Sequence, residues 1–333
     1  MTSHAFDVLG IGNAIVDVIA TAEDDFLVRE HITKGSMNLI DEARAEHLYA
    51  AMGPAIITAG GSAANTMAGI ASFGGRGAYI GKVRADELGK SFRHDTGAIG
   101  VRFATAAAES GPATARSFIF VTPDGERSMN TYLGACQNLT VADIDHETVA
   151  GAAVTYLEGY LWDPPAAKEA FRKASEIAHG AGRQVALTLS DSFCVDRYRE
   201  EFLGLMRGKA VDIVFANESE LKALYQTADF DTALAALRTD VALGVVTRSE
   251  AGAMAVTAGE TVAVPAYPVE RVVDTTGAGD LFAAGFLFGY TAGRDLRDAL
   301  HLGALAAGEV ISHIGPRPAV SLKELAQQTG LMG

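Results

Sequence analysis

The chain is short of several things that would place it outside the ordinary globular class. It has only two cysteines, Cys136 and Cys194, far apart and with no Cys-x-x-Cys neighbour. Neither a disulfide framework nor a zinc knuckle is expected, and reduced thiols point to a cytoplasmic protein. Basic residues are scarce as well: 27 Lys and Arg stand against 41 Asp and Glu, a formal net charge of -14. A nucleic-acid surface needs a basic face, so nucleic acid is not an expected partner, although a local basic pocket for a small anion remains compatible. The eight histidines show no His-Glu-x-x-His or similar ligand spacing, and His146 and His301 read as surface or helix residues. Asp7 and Asp17 interrupt the apolar stretch "MTSHAFDVLGIGNAIVDVIA", which has no basic lead. It reads as neither a signal peptide nor a membrane span, so no membrane partner is expected. No fixed-period repeat or low-complexity segment is present.

What the 333 residues do contain is alternation. Short apolar runs recur at 6–12, 78–83, 154–160, 184–190, 212–217 and 242–248, a length and composition suited to strands buried on both faces. Helix-period segments lie between many of them, such as 164–182 with its proline start and glycine stop. Strand–helix alternation from 154 to 248 predicts a parallel sheet with right-handed crossovers, hence an α/β fold. "TARSFIFVTPDGERSMNTYLG" (114–134) breaks the rhythm with two β-rich runs around Pro-Asp-Gly. It predicts a hairpin outside the parallel sheet, with 33–41 as a strand beside it. The organisation expected is one large domain over 1–333 with a small β-rich lid built from inserted segments of about 14–41 and 112–136. The alternative is an antiparallel edge on the main sheet.

Two motifs imitate nucleotide sites. "GIGNAIVD" (10–17) has Ile15 where a dinucleotide fingerprint needs its third glycine, and "LGKSF" (88–92) has Arg84 where a P-loop needs its first. The informative stretch is "VVDTTGAGDLFAAGFLFG" (272–289), a turn of small residues opening an apolar helix. Amides at a helix start lack internal partners and carry positive partial charge, so Gly277, Ala278 and Gly279 form a cradle for an anion. A bare anion binder gains nothing from a carboxylate at its rim. An enzyme moving a phosphoryl group gains a general base, which is the role read for Asp280. The competing reading of Asp280 is a helix N-cap. A second glycine motif, "AGGSAANT", offers Gly61, Ser62 and Asn65 to a ligand close to the backbone; the bland alternative is a helix start packed on the sheet. Asn13 and Asp17 follow the first strand, where ligands of such sheets bind, and Asp17 suits a vicinal diol unless it is a solvated loop acid.

With these residues together, the chain resembles the ribokinase-like, or PfkB, carbohydrate kinases over nearly its whole length. "GGSAAN" is similar to the family's N-terminal signature, "DTTGAGD" to its highly specific C-terminal one, and "NESE" (217–220) to its Asn-x-x-Glu motif. The resemblance implies a central mostly parallel sheet flanked by helices, with a β lid over the sugar site. Within the family, "GNAIVD", "GGSAANT" and "DGERSM" look most like the adenosine kinases. It would follow that ATP gives its γ-phosphoryl to the 5′-hydroxyl of adenosine, making AMP, with Asp280 as base and Gly277, Ala278 and Gly279 as anion hole.

The same resemblance implies roles for individual residues. Asp17 would bind the ribose hydroxyls with Gly61 and Asn65, while Asn13 and Ser62 would lie near the nucleoside. Arg127 would come from the lid, and Tyr160, unless Leu161 aligns instead, would stack on a base or serve as core. Met129, with Met37 and Ile15, would line a nucleoside pocket or be lid core. Asn217 and Glu220 would help place Mg²⁺ through water, and Thr247, Arg248 and Gly252 would lie at the nucleotide phosphates. Asp274 and Thr276 match part of a K⁺ site. Two departures stand out: Thr276 replaces the asparagine of animal adenosine kinases, and 309–318 is only loosely similar to their nucleotide segment. The partner is a small nucleoside or sugar, and the chain a monomer or homodimer. A sugar kinase of the same family is the runner-up, and a non-catalytic nucleoside- or sugar-binding regulator a third reading.

Overall fold

The computed structural model describes residues 4–332. Among the described residues fourteen strands form two sheets. In chain order they are β1 Phe6–Ile11, β2 Ile15–Thr21, β3 Met37–Leu39, β4 Ile56–Gly60, β5 Gly77–Ile80, β6 Arg102–Phe103 and β7 Ala115–Val121. They continue with β8 Arg127–Tyr132, β9 Ala152–Glu158, β10 Gln184–Thr188, β11 Ile213–Asn217, β12 Leu243–Thr247, β13 Ala253–Val256 and β14 Thr261–Val264. The main sheet has the order β14-β13-β12-β11-β10-β9-β1-β5-β6. Its strands pair in parallel from β12 to β6, and only β13 and β14 run antiparallel at one edge. The fold is therefore α/β, a mostly parallel sheet flanked by helices, with a second, smaller sheet.

Alternation along each buried strand explains the two helical layers, because successive side chains point to opposite faces. Val8, Val154, Ile213 and Val245 join one apolar core, with the helices Ser62–Ser72, Ala278–Thr291 and Leu296–Val310. Leu9, Leu157, Val214 and Val246 join the other, with helices from the middle of the chain. One of those, Ser192–Arg207, carries a non-helical Tyr198 (φ -121°). The apolar period Val195, Tyr198, Phe202, Leu205 and Met206 runs through the kink and faces the core.

The second sheet has the order β3-β8-β7-β2-β4. The 114–134 segment pairs as an antiparallel hairpin inside it, so the main-sheet alternative is excluded. Residues 37–39 add a parallel strand beside the hairpin, and Ile56–Gly60, a stretch with no expectation attached, completes the opposite edge. One face of this sheet is covered: Val18, Phe118 and Phe120 pack on Leu27, Ala45 and Leu48. By strand alternation and register, the other face carries Ile15 and Asp17 of β2, Ser117 and Ile119 of β7, and Arg127 and Met129 of β8.

The helix Ala278–Thr291 is pinned to the main sheet by an aromatic contact. Phe286 is fully buried and meets Phe215 of β11 edge-on, at 5.6 Å between centroids and 81° between planes. Phe286→Ala should cost about 3–5 kcal/mol, the usual range for emptying such a site. Urea unfolding of the variant is the check, and a midpoint equal to that of the wild type would show that the helix is held elsewhere.

Candidate active site

The chain leaves β1 in one direction toward β5 and returns on the other side as β9, so the crevice beyond β1 and β9 is the sheet's switch point. A carboxylate absent from the sequence reading fills it. Glu158 ends β9 and is 1% exposed. Its Oε1 accepts from Asn13 Nδ2 at 2.9 Å and Asn13 N at 3.3 Å, and its Oε2 accepts from Ala63 N at 2.9 Å. The glycine of "GIGN" has its reason here: a Cβ on Gly12 would lie 2.3 Å from Glu158 Oε2. Burial pushes the Glu158 carboxyl up to about 7, against the pull of the bonds from Ala63 and Asn13.

Asp280 sits where the two glycine motifs meet. Gly277 caps the helix Ala278–Thr291 in the left-handed region (φ 80°), and any Cβ there would press on Pro316. Asp280 is therefore not the cap, and its carboxylate turns away from its own helix. Oδ1 accepts from Ser62 Oγ at 2.6 Å and Oδ2 from Asn65 Nδ2 at 3.1 Å. Burial raises the Asp280 carboxyl, and these two bonds oppose the rise. Of the three amides expected in the cradle, that of Ala278 donates to Thr275 O at 3.2 Å. Those of Gly277 and Gly279, and that of Asp280 itself, have no protein acceptor among the described residues.

Asp17 lies on the other face of the second sheet, 7% exposed. Burial pushes its carboxyl up to about 7; Arg317 and Arg127 pull it down and Asp280 adds to the rise, so the four charges share one region. Arg127 pairs with Asp274, Nη2 to Oδ2 at 2.6 Å. The same Asp274 accepts from Thr276 N at 3.0 Å and Gly315 N at 2.8 Å. It thus ties together the second sheet, the glycine turn and the loop after the helix Leu296–Val310. A carboxylate occupied by a guanidinium and two amides does not fit a K⁺ ligand, and Thr276 serves it through its backbone. Met129 lies half-buried on the same sheet face as Asp17 and Arg127.

The nucleotide-side candidates gather at the carboxyl ends of β11 and β12, where Asn217 and Thr247 are register partners. Asn217 and Glu220 form a reciprocal capping box: Asn217 N and Nδ2 donate to Glu220 at 2.9 and 2.6 Å, and Glu220 N donates back at 2.9 Å. Burial, then the nearby Asp191, push the Glu220 carboxyl up to about 7. Among the described residues no group of three or more His, Cys, Asp or Glu is placed to hold a metal. Both Glu220 oxygens already accept a hydrogen bond, so this donor set fits a hydrated Mg²⁺ held through water, not a direct cage. Arg248 bonds Glu218 (Nε to Oε2, 2.9 Å) and lies 4.0 Å over the Phe230 ring, and Gly252 turns the chain between β12 and β13. Tyr160 donates its hydroxyl to Ser190 O at 3.2 Å and shares its surroundings with Asp191, Glu220 and Asp280. Leu161 is buried in the helical core, so of these two it is Tyr160 that faces the site.

The chain is similar to known proteins over most of its length. Residues 56–322 match the family model of the pfkB family carbohydrate kinases. A solved adenosine kinase from Sinorhizobium meliloti is 60% identical, with a TM-score of 0.92 over 97% of this chain and 99% of that one. A solved probable sugar kinase protein from Rhizobium etli is 58% identical, with a TM-score of 0.94 over 99% and 100%. Adenosine kinase 2 of Arabidopsis thaliana is 26% identical over 92% of this chain and 94% of its own. The chain belongs to the pfkB family of carbohydrate kinases. No helix among the described residues is long and apolar enough to cross a membrane.

The buried carboxyls predict an unusual pH response. Asp17, Glu158 and Glu220 keep their protons up to about 7 when folded, while the unfolded chain releases them near 4. The unfolded state therefore binds fewer protons in that window, and stability falls as pH rises from about 4.5 to about 7. Urea unfolding near pH 5 and pH 8 should show the decline, and Glu158→Gln should shrink it. A wild type more stable near pH 8 would contradict the assignment.

Proposed function

Taking membership of the pfkB family as the premise, we propose that this phosphotransferase moves the γ-phosphoryl group of ATP to the 5′-hydroxyl of adenosine, giving AMP and ADP. One observation carries the chemistry. Asp280 is buried, accepts from Ser62 and Asn65, and stands beside amides of Gly277, Gly279 and its own that have no protein acceptor. The acceptor hydroxyl gives its proton to Asp280 as its oxygen bonds to the γ-phosphorus, and the bond to the leaving ADP oxygen breaks. The open amides at the helix start meet the charge on the transferring group. Ser62 and Asn65 hold the carboxylate in place, and its raised proton affinity suits it to accept the proton. A bound Mg²⁺ would neutralise phosphate charge, with Glu220 and Asn217 orienting its water shell.

Asp17 is the proposed diol holder, a buried acceptor on the sheet face opposite Asp280. The apolar neighbours Ile15, Ile119 and Met129 on that face favour a nucleoside over a free sugar, since a base needs a larger apolar wall. The relatives described as adenosine kinases support the same acceptor, whereas the Rhizobium etli protein keeps the sugar reading as the alternative.

ADP release with ATP and Mg²⁺ against adenosine, inosine, cytidine, guanosine, ribose and fructose tests the substrate. Turnover with adenosine is expected; turnover with free sugars alone would overturn the acceptor and leave the mechanism. Asp280→Asn should bind adenosine normally and lose about a hundredfold or more in turnover. Near-normal turnover would remove the base from Asp280. Asp17→Ala should weaken acceptor binding by about 1.5–3 kcal/mol, read by calorimetry. Unchanged affinity would move the diol contact to another group.

A further inference from the structure

Among the described residues, Asn65 is the hydrogen-bonded link between Asp280 and a residue that lies outside both glycine motifs. Its Nδ2 donates to Asp280, and its Oδ1 accepts from Arg317 Nε at 3.4 Å. A buried amide can face a carboxylate in two ways, and only one is favourable. With the NH₂ toward Asp280 it donates; reversed, its oxygen would oppose another acceptor. A guanidinium can only donate, so it pairs with the Asn65 oxygen and leaves the NH₂ for Asp280.

The loop that carries Arg317 is fastened for the task. Glu309 Oε1 accepts from Ala319 N at 2.9 Å and Val320 N at 3.3 Å, and His313 Nε2 lies 3.1 Å from the same atom. Gly315 N donates to Asp274, and Pro316 packs on Gly277. Pro316 and Pro318 on either side fix their own φ. The loop therefore touches the glycine turn, its bracketing carboxylate and the amide that orients the base.

We infer that Arg317 is a positioning residue for phosphoryl transfer, setting the Asn65 amide so that it donates to the Asp280 carboxylate. This rests on Asp280 being the base. The other ionisable groups around Asp280 are Asp17 of β2, Tyr156 and Glu158 of β9 and Tyr160 after it, and Arg127 of β8 acts through Asp17. Among the described residues none of them is hydrogen-bonded to Asn65, but Arg317 also pulls on Asp17 directly, so the route through the amide is isolated by comparing Arg317 variants with and without Asn65.

The test uses the full chain and whichever acceptor of the panel above the wild type phosphorylates. Turnover is followed from about pH 5 to 9 for the wild type, Arg317→Met, Arg317→Lys, Asn65→Ala, Asn65→Ala with Arg317→Met, and Asp280→Asn. Arg317→Met should lower kcat about tenfold, the scale of one hydrogen bond to a charged group, and should raise KM as well, because Arg317 also pulls on Asp17. The acid limb of kcat should move up by about half a pH unit, because Asp280 loses a donor. Arg317→Lys should recover most of the loss in kcat, and Arg317→Met should lower kcat no further in the Asn65→Ala background.

A wild-type kcat and acid limb in Arg317→Met would overturn the inference, as would an equal loss with and without Asn65. If Arg317→Met does not fold, Arg317→Lys combined with Asn65→Ala carries the same cycle: any effect of the lysine must vanish without Asn65. Full activity of Asp280→Asn would instead sink the base assignment, and this inference with it, whatever the arginine variants do.

Discussion

The site depends on keeping several carboxylates out of water at one edge of a parallel sheet. Isolated buried charges are costly, so each must find donors or hold its proton. Asp280 takes a hydroxyl and an amide from the other glycine motif, Glu158 takes two main-chain N–H groups and an asparagine, and Asp274 takes an arginine and two amides. All but two of these bonds join segments 95 to 218 residues apart in the chain. The requirement to satisfy buried acid groups is thus also what assembles the site.

Asp17 differs from the other three. Among the described residues no hydrogen bond to its side chain accompanies its burial, and its proton affinity is set by desolvation, by two arginines and by Asp280. A carboxylate in that condition gains most from a ligand that donates two hydroxyl hydrogens at once. Asp280, by contrast, is already oriented by protein donors, which suits a group that must take up one proton at a defined point. On the proposed roles, environment separates the holding acid from the reacting one, although both are aspartates.

Much of this was legible before any coordinates. The parallel strands of 154–248 followed from apolar runs separated by helical periods, and the hairpin of 114–134 from its central Pro-Asp-Gly. Asp280 was legible because a carboxylate after small residues at a helix mouth contradicts a plain anion site. Glu158 was not, although an acid at the end of the apolar run "VTYLEGY" with a glycine behind it was a usable signal. Its partners come from residues 13 and 63, and no local pattern connects them. Arg317 lies in a loop without periodicity, between two prolines, and its meaning exists only where that loop lands on Asn65. Ile56–Gly60 was hidden by being a short run at a sheet edge.

The central claim is a division of labour: Asp17 holds one end of the acceptor while Asp280 meets its reacting hydroxyl. A crystal structure of the Asp280→Asn chain with adenosine and a non-transferable ATP analogue examines it most directly. The account predicts the ribose diol on the Asp17 carboxylate and the 5′-hydroxyl within about 3.2 Å of the residue 280 side chain, the reach of a group that takes a proton. Adenosine bound with its ribose away from Asp17, or with the 5′-hydroxyl out of reach of residue 280, would contradict it.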